Sequence, residues 1–189
     1  TAKISECCRL QFELSKEDLE DAKKPWKMRY EACPYLTVNL PRVAYEAKHN
    51  EEKFFEILGK RMEILTEAHL QKYKYLKKLF EMGARGPLGF LASKAKGDGE
   101  AYLRIERMNF MDAVGGLSDA VKHHLGEALH ESDEALKFGL KVAAFMKQKC
   151  ETESKKSGLR ILLDQEPGES SIYRFAKLDL EYFPKEASK

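Results

Sequence analysis

Two adjacent cysteines near the start of the chain, Cys7 and Cys8, are followed directly by Arg9. Neighbouring residues of an extended chain point to opposite sides, so at most one of these thiols can face a given cleft. The four cysteines of the 189 residues are too few for a disulfide scaffold and lack the paired CxxC spacing of a structural zinc site. Two interpretations stay open: one reactive cysteine beside an arginine, or a small buried residue beside a bystander.

Two glycine-containing segments have the composition of ligand-binding turns. Gly115 and Gly116 precede a predicted helix, and glycine allows a ligand to approach the backbone closely. Residues 165–171 (QEPGESS) lead into another predicted helix, whose free N–H groups and dipole suit a phosphate. Because serine is common at helix starts in any protein, this second segment is also compatible with an ordinary cap.

The adjacent pair His123 and His124 invites a metal-binding interpretation. Adjacent helical residues lie about 100° apart, so they rarely ligate one ion together. No HExxH spacing accompanies them. The pattern therefore predicts a solvated helix face, and we expect no metal site.

The net charge and the hydropathy of the sequence argue against a nucleic-acid partner and against a membrane span. Thirty-three Lys and Arg residues against 31 Asp and Glu leave a formal charge of +2, which does not favour a nucleic-acid partner. No run of about 18 apolar residues occurs, so we expect no membrane span. The first 15 residues also lack the apolar stretch of a signal peptide, which favours a cytoplasmic protein.

The elements that would position these residues alternate between strands and helices. Strands are predicted near residues 10–14, 35–40, 101–107 and 159–163, and helices near 15–24, 50–82, 117–125, 130–157 and 171–179. Residues 83–100, with their glycines, are predicted to form an exposed loop. Strands separated by helices indicate an α/β class with a partly parallel sheet. The long amphipathic helix is expected to be scaffold.

Five blocks of the sequence resemble the catalytic region of anaerobic (class III) ribonucleoside-triphosphate reductases. They keep the order of that family and extend over about residues 6–183. The NLPR and YRFAK blocks are the most specific. The blocks are CCRL at 7–10, TVNLPRVAYEAK at 37–48, VGGL at 114–117, LHESDEAL at 129–136 and QEPGESSIYRFAK at 165–177.

The resemblance implies a fold and a set of site residues. The fold would be part of a ten-stranded α/β barrel of the ribonucleotide reductase and glycyl-radical type, with long helices packed outside the strands. Cys8 would form the thiyl radical that abstracts the ribose 3′ hydrogen, with Cys7 as the second choice, and Asn39 would lie inside the barrel within reach of the ribose. The substrate phosphates would bind to Pro167, Gly168, Glu169, Ser170 and Ser171.

The implied function is the anaerobic reduction of ribonucleoside triphosphates to 2′-deoxyribonucleoside triphosphates. The family uses a glycyl radical installed by a radical-SAM activating enzyme, takes formate as the reductant, and is expected to form a homodimer. A nucleotide-binding or regulatory module without radical chemistry is the alternative. A pyruvate formate-lyase relative is a third candidate, against which the NLPR and YRFAK blocks argue.

The family's glycyl-radical segment, regulatory region and four-cysteine zinc site do not occur in residues 1–189. Residues 13–33 also differ from the glycine-rich stretch expected between the first two blocks. Residues 1–189 are therefore interpreted as a single domain, either the central part of a larger reductase catalytic barrel or a shortened relative of that enzyme. On this interpretation the chain is inactive by itself.

Overall fold

The computed structural model describes residues 3–5, 11–29, 31–166, 168 and 170–188. This part of the chain contains five strands and eight α-helices. In order they are β1 (Lys3–Ser5), β2 (Gln11–Glu13), α1 (Lys16–Ala22), β3 (Ala32–Asn39), α2 (Leu40–Ala47), α3 (Glu51–Glu81), α4 (Gly89–Ala92), β4 (Asn109–Gly115), α5 (Leu117–Leu125), α6 (Asp133–Ser157), β5 (Arg160–Gln165), α7 (Ser170–Tyr182) and α8 (Pro184–Ala187).

The strands form two separate sheets. β1 and β2 make an antiparallel pair, and β3, β4 and β5 make a parallel sheet in that order. The predicted α/β class with parallel strands is confirmed. The described residues do not close a ten-stranded barrel, because β3 and β5 are both edge strands of the three-stranded sheet.

Helix α3 matches the predicted long helix closely. It begins after Asn50, whose side chain accepts a hydrogen bond from the Lys53 N–H and so satisfies one free donor of the first turn. Its buried residues recur every three or four positions, which turns one stripe of the helix toward the sheet. They are Phe54, Leu58, Met62, Thr66 and His69.

Helix α6 also begins and ends as its sequence predicts. The Ser132 side chain caps its first turn, and Gly158 ends it in the left-handed conformation at φ 75°. Strand β5 follows and pairs in parallel with β4, as predicted. Only Ile161 of β5 is buried, because β5 is an edge strand of the sheet. The continuous apolar run at 159–163 would instead be typical of a strand buried on both faces.

A buried polar cluster joins α3 and α6 to the central strand. The Asp112 carboxylate on β4 lies 2.8 Å from Nε2 of His69, and the thiol of Cys150 donates to it across 3.7 Å. All three side chains are buried. Asp112 therefore marks the face of the sheet that both long helices cover.

One prediction about local structure is wrong, and two elements of the structure are absent from the sequence-based prediction. Residues 101–107 are not a strand, since Ile105–Arg107 form a single 3-10 turn, and the strand lies at Asn109–Gly115. That strand is almost fully buried, so it shows no alternation between polar and apolar residues. No helix is predicted directly after the strand near residues 35–40, yet α2 begins there, and Pro41 lies in its first turn, a position that suits proline. Strand β1 was also missed.

The segment predicted as an exposed loop, residues 83–100, contains a 3-10 turn and the short helix α4. Most of its residues are exposed, although Ala95 is buried. In the part of the chain that the structure describes, no helix combines the length and the apolar character that a membrane crossing requires.

Candidate functional site

One face of the parallel sheet carries a row of polar residues. Tyr35, Thr37 and Asn39 alternate along β3 and pair with Met111, Ala113 and Gly115 of β4. Because successive side chains of a strand point to opposite faces, this row lies on the face opposite Asp112, away from α3 and α6. Asn39 is the last residue of β3, at the carboxyl end where α/β proteins place their ligands.

Residues of β5 and of the loop that follows it bind two members of this row. The Tyr35 hydroxyl donates to Oδ2 of Asp164 at 2.6 Å. The Thr37 hydroxyl donates to Glu166, which also accepts the hydroxyl of Ser171 at 2.6 Å. Ser171 lies in the first turn of α7, so these bonds connect β3 to the start of that helix.

The Asn39 side chain has two structural partners. Its Oδ1 accepts the backbone N–H of Arg42 at 3.3 Å and thereby caps α2. Its Nδ2 donates to Oδ2 of Asp179 on α7 at 2.7 Å. Asn39 therefore belongs to a hydrogen-bonded group that spans β3, α2 and α7.

A cavity of about 470 Å³ opens at the carboxyl ends of β3 and β4. Helix α7 forms one wall, and α2 and α5 form the other. Burial raises the pKa of Tyr45 in this cavity, and the nearby charges of Asp179, Asp119 and Glu186 raise it further, so its phenol stays protonated. The lining combines polar residues with an apolar stripe of α7, and includes Asn39, Tyr45, Asp119, Lys122, Ile172, Phe175 and Asp179.

Two glycines, Gly115 at the end of β4 and Gly116 directly after it, allow the elements around the cavity to approach closely. A Cβ on Gly115 would lie 2.8 Å from Cγ2 of Thr37. Gly116 has φ 70°, and a Cβ there would lie 2.7 Å from the Pro41 ring. These close contacts lie within the chain itself, and the approach of a ligand to this pair stays a prediction.

The predicted phosphate-binding segment is described in part. Gly168 has φ 89°, and Ser170 and Ser171 begin α7. The N–H groups of a first helical turn have no partner within the helix, which makes this end suitable for an anion. Pro167 and Glu169 lie outside the described residues.

The candidate radical cysteines, Cys7 and Cys8, also lie outside the described residues, in the sequence between β1 and β2. Cys150 is different in character. Burial raises the pKa of its thiol, and the Asp112 carboxylate raises it further, so this cysteine stays protonated and is not a nucleophile.

The prediction that His123 and His124 form a solvated face is wrong for His124. Its ring is buried and stacks on Phe138 with ring centroids 4.8 Å apart. Burial lowers the pKa of His124, and the neighbouring His49 lowers it further. His124 therefore acts as a neutral aromatic residue of the core.

Sequence reasoning missed Asp179 and Arg42 as site residues, and it included Glu166 in the phosphate-binding segment without its contact to Thr37. The alternation of Tyr35, Thr37 and Asn39 along β3 was the available signal for the polar face. Nothing local marks Asp179, because its partner Arg42 is 137 residues away in the sequence.

Comparison with known proteins identifies similar chains. A sequence model for the family described as anaerobic ribonucleoside-triphosphate reductase matches residues 1–189. The anaerobic ribonucleoside-triphosphate reductase of Salmonella typhimurium is 24% identical over 157 residues, which represent 78% of this chain and 22% of that protein.

Solved structures of the anaerobic ribonucleotide reductase from Thermotoga maritima share the fold. The structure with citrate in the active site has a TM-score of 0.70 and 19% identity, and the match covers 84% of this chain and 28% of that one. The complex with dATP and CTP has a TM-score of 0.71 and 19% identity, with 84% and 26% covered. The chain thus spans about a quarter of the length of these relatives.

Proposed function

Because the family match extends over residues 1–189, the chain belongs to the anaerobic ribonucleoside-triphosphate reductase family, and we propose that it forms part of that enzyme's catalytic region. The proposed reaction converts ribonucleoside triphosphates into 2′-deoxyribonucleoside triphosphates. The observation that carries this proposal is the convergence of Asn39, the Gly115–Gly116 turn and helix α7 on one cavity at the carboxyl ends of parallel strands.

The two ends of a nucleotide would bind to different parts of this region. The triphosphate would accept hydrogen bonds from the backbone N–H groups of Gly168, Glu169, Ser170 and Ser171 at the start of α7, and Pro167, which has no backbone N–H, would lie beside it. The ribose would lie toward Asn39 at the end of β3. The relative from Thermotoga maritima was solved with CTP, so CTP is a suitable first ligand to test.

Cys8, next to Arg9, is the proposed radical cysteine, and Cys7 is the second candidate. A thiyl radical on Cys8 would take the 3′ hydrogen of the ribose. The 2′ hydroxyl would then take up a proton and leave as water, and formate would be oxidised to CO₂ while it supplies two electrons and one hydrogen to C2′. The Cys8 thiol would return the 3′ hydrogen to the ribose and become the thiyl radical again. The glycyl radical would supply only the initiating radical. The hydrogen transfer itself would occur between Cys8 and the ribose, so Cys8 must be held near the ribose.

Residues 1–189 would form one part of the whole reductase, which is called the complete polypeptide below. The three-stranded parallel sheet would be a portion of a ten-stranded barrel, with the edges of β3 and β5 continued by other strands. A radical-SAM activating enzyme would install the glycyl radical, and the protein would act as a cytoplasmic homodimer.

Cysteine variants of the complete polypeptide test the function. After the activating enzyme has installed the glycyl radical, we expect Cys8→Ser to abolish formate-dependent reduction of CTP. A serine hydroxyl cannot replace the thiyl radical that takes the 3′ hydrogen. Binding of CTP should persist in this variant. Cys7→Ser is the matched control and should retain turnover.

The outcomes separate the assignments. Loss of turnover in Cys7→Ser with normal turnover in Cys8→Ser would move the radical to the neighbouring residue. Normal turnover in both variants would contradict the assignment to this pair. CTP binding without reduction in the activated wild-type protein would contradict the proposed reaction.

A further inference from the structure

Helix α7 buries a charged residue, Asp179, rather than an apolar one against the rest of the chain. Of its thirteen residues, all described, the only buried one is the carboxylate Asp179, which is 3% exposed. An apolar residue of the same helix, Tyr173, is 72% exposed. Burying a carboxylate is unfavourable unless charged or hydrogen-bonding partners compensate it, so the partners of Asp179 determine how α7 is seated.

Both oxygens of Asp179 are bound by residues at the β3–α2 junction. Oδ1 accepts Nε of Arg42 at 2.7 Å and lies 2.6 Å from Nη2 of the same residue. Oδ2 accepts Nδ2 of Asn39 at 2.7 Å. The carboxylate thus holds an arginine and an asparagine that are three positions apart in sequence.

These contacts determine the orientation of the Asn39 carboxamide. Only the NH₂ group can face the Asp179 carboxylate, because two oxygens at 2.7 Å would repel each other. The opposite side, Oδ1, caps α2 through the Arg42 N–H. One N–H of Nδ2 and one lone pair of Oδ1 remain, and Asn39 lines the cavity. A donor beside an acceptor matches a hydroxyl group, which both donates and accepts.

We propose that Asp179 is a positioning residue that orients Asn39 toward the 2′ hydroxyl of the ribose and couples that contact to the phosphate-binding start of α7. This inference rests on the proposed function. Asp179 and Ser170 are nine residues apart on one helix, a rise of about 13.5 Å. A rigid helix therefore keeps the ribose contact and the phosphate contact at a constant separation.

A purely structural role predicts a different result. If Asp179 only seats α7 through Arg42, its replacement weakens every ligand equally, because the whole helix shifts. If Asp179 orients Asn39, its replacement weakens ligands that carry the 2′ hydroxyl and spares the others. Comparing CTP, dCTP and inorganic triphosphate distinguishes the two roles.

The test measures dissociation constants of these three ligands with the complete polypeptide by calorimetry. We expect the wild type to bind CTP more tightly than dCTP, and Asp179→Asn to reduce that preference by up to roughly tenfold, the equivalent of one hydrogen bond. The affinity of Asp179→Asn for inorganic triphosphate should stay within about twofold of the wild-type value, because the backbone N–H groups at the start of α7 are unchanged. Glu181→Gln, an exposed charge change on the same helix, is the matched control and should preserve all three values.

A second variant, Asp179→Glu, distinguishes loss of the Asn39 orientation from misfolding of the protein. Asp179→Glu keeps the charge that pairs with Arg42 but moves the carboxylate by one methylene, so α7 should remain docked while Asn39 is misdirected. A double-mutant cycle adds a direct readout. In an Asn39→Ala background, Asp179→Asn should cause no further loss of CTP preference.

The possible failures are separable. An unchanged preference for CTP in both Asp179 variants would overturn this inference alone. Equal weakening of all three ligands would overturn it in favour of simple docking of α7. A wild-type protein that binds none of the three would overturn the proposed function and this inference together.

Discussion

The hydroxyl of Tyr35 on β3 donates a 2.6 Å hydrogen bond to Oδ2 of Asp164 on β5, so one side-chain pair connects the two outer strands of the parallel sheet. Between them, β4 presents Ala113, whose small side chain leaves room for this contact. Met111, also on this face, is fully buried. The pair therefore stabilises the polar face on which the candidate site is built.

Replacing Tyr35 with phenylalanine should lower the free energy of unfolding by about 0.5–1.5 kcal/mol, because the Asp164 carboxylate loses a hydrogen-bond donor. Urea denaturation of both proteins measures the difference. Tyr75→Phe is the control, since Tyr75 is 62% exposed and its hydroxyl loss should leave stability unchanged. Equal stability of Tyr35→Phe and the wild type would show that the bond contributes nothing in solution.

Gly116→Ala should destabilise the protein more than Gly126→Ala. Both glycines have positive φ, 70° and 92°, so both substitutions introduce backbone strain of about 1–2 kcal/mol. Only at Gly116 would the new Cβ also meet Pro41, at 2.7 Å, whereas nothing lies within 4 Å at Gly126. Thermal or urea unfolding measures both, and equal losses would contradict the steric part of this explanation.

Acid should destabilise the contacts of α1 through Asp21. Burial by itself raises the pKa of Asp21, but hydrogen bonds and charges from Arg104 and Arg107 outweigh it and hold this pKa below its usual value. A carboxyl whose pKa is depressed in the folded state stabilises it above the unfolded-state pKa, near pH 4. That contribution is lost as the pH falls through the lower folded-state value.

The free energy of unfolding should therefore decrease between pH 5 and pH 3 by a larger amount in the wild type than in Asp21→Asn. Urea titrations at several pH values measure the two slopes. Glu106→Gln, an exposed charge change near the same arginines, should behave like the wild type. Parallel slopes for Asp21→Asn and the wild type would exclude Asp21 as a source of the acid sensitivity.

Ser170→Pro should weaken the binding of inorganic triphosphate more than Ser170→Ala. Ser170 is the first residue of α7, where proline is compatible with the helix but removes the backbone N–H proposed to bind phosphate. Ser170→Ala keeps that N–H, so it should cost at most about 0.5–1.5 kcal/mol. Equal affinities of the wild type and the proline variant would remove this segment from the site.

The local structure of the long helices was predictable from sequence because short-range rules determine it. The apolar period from Phe54 to Met62 identifies α3, and Ser132 and Gly158 mark the ends of α6. Strand β4 could not be predicted in this way. It contains Asn109 and Asp112, which strands usually disfavour, and its burial comes from helices and strands distant in sequence.

For the candidate site, the sequence by itself determined which segments carry the family's motifs, because those motifs are contiguous runs of residues. The tertiary structure alone decided which side chains of those segments meet. Asn39 was predicted to reach a ribose, but its contact with Asp179 lies across 140 positions of the chain. Such a contact depends on parallel strand register and on how α7 packs against β3 and α2, and no local pattern encodes either.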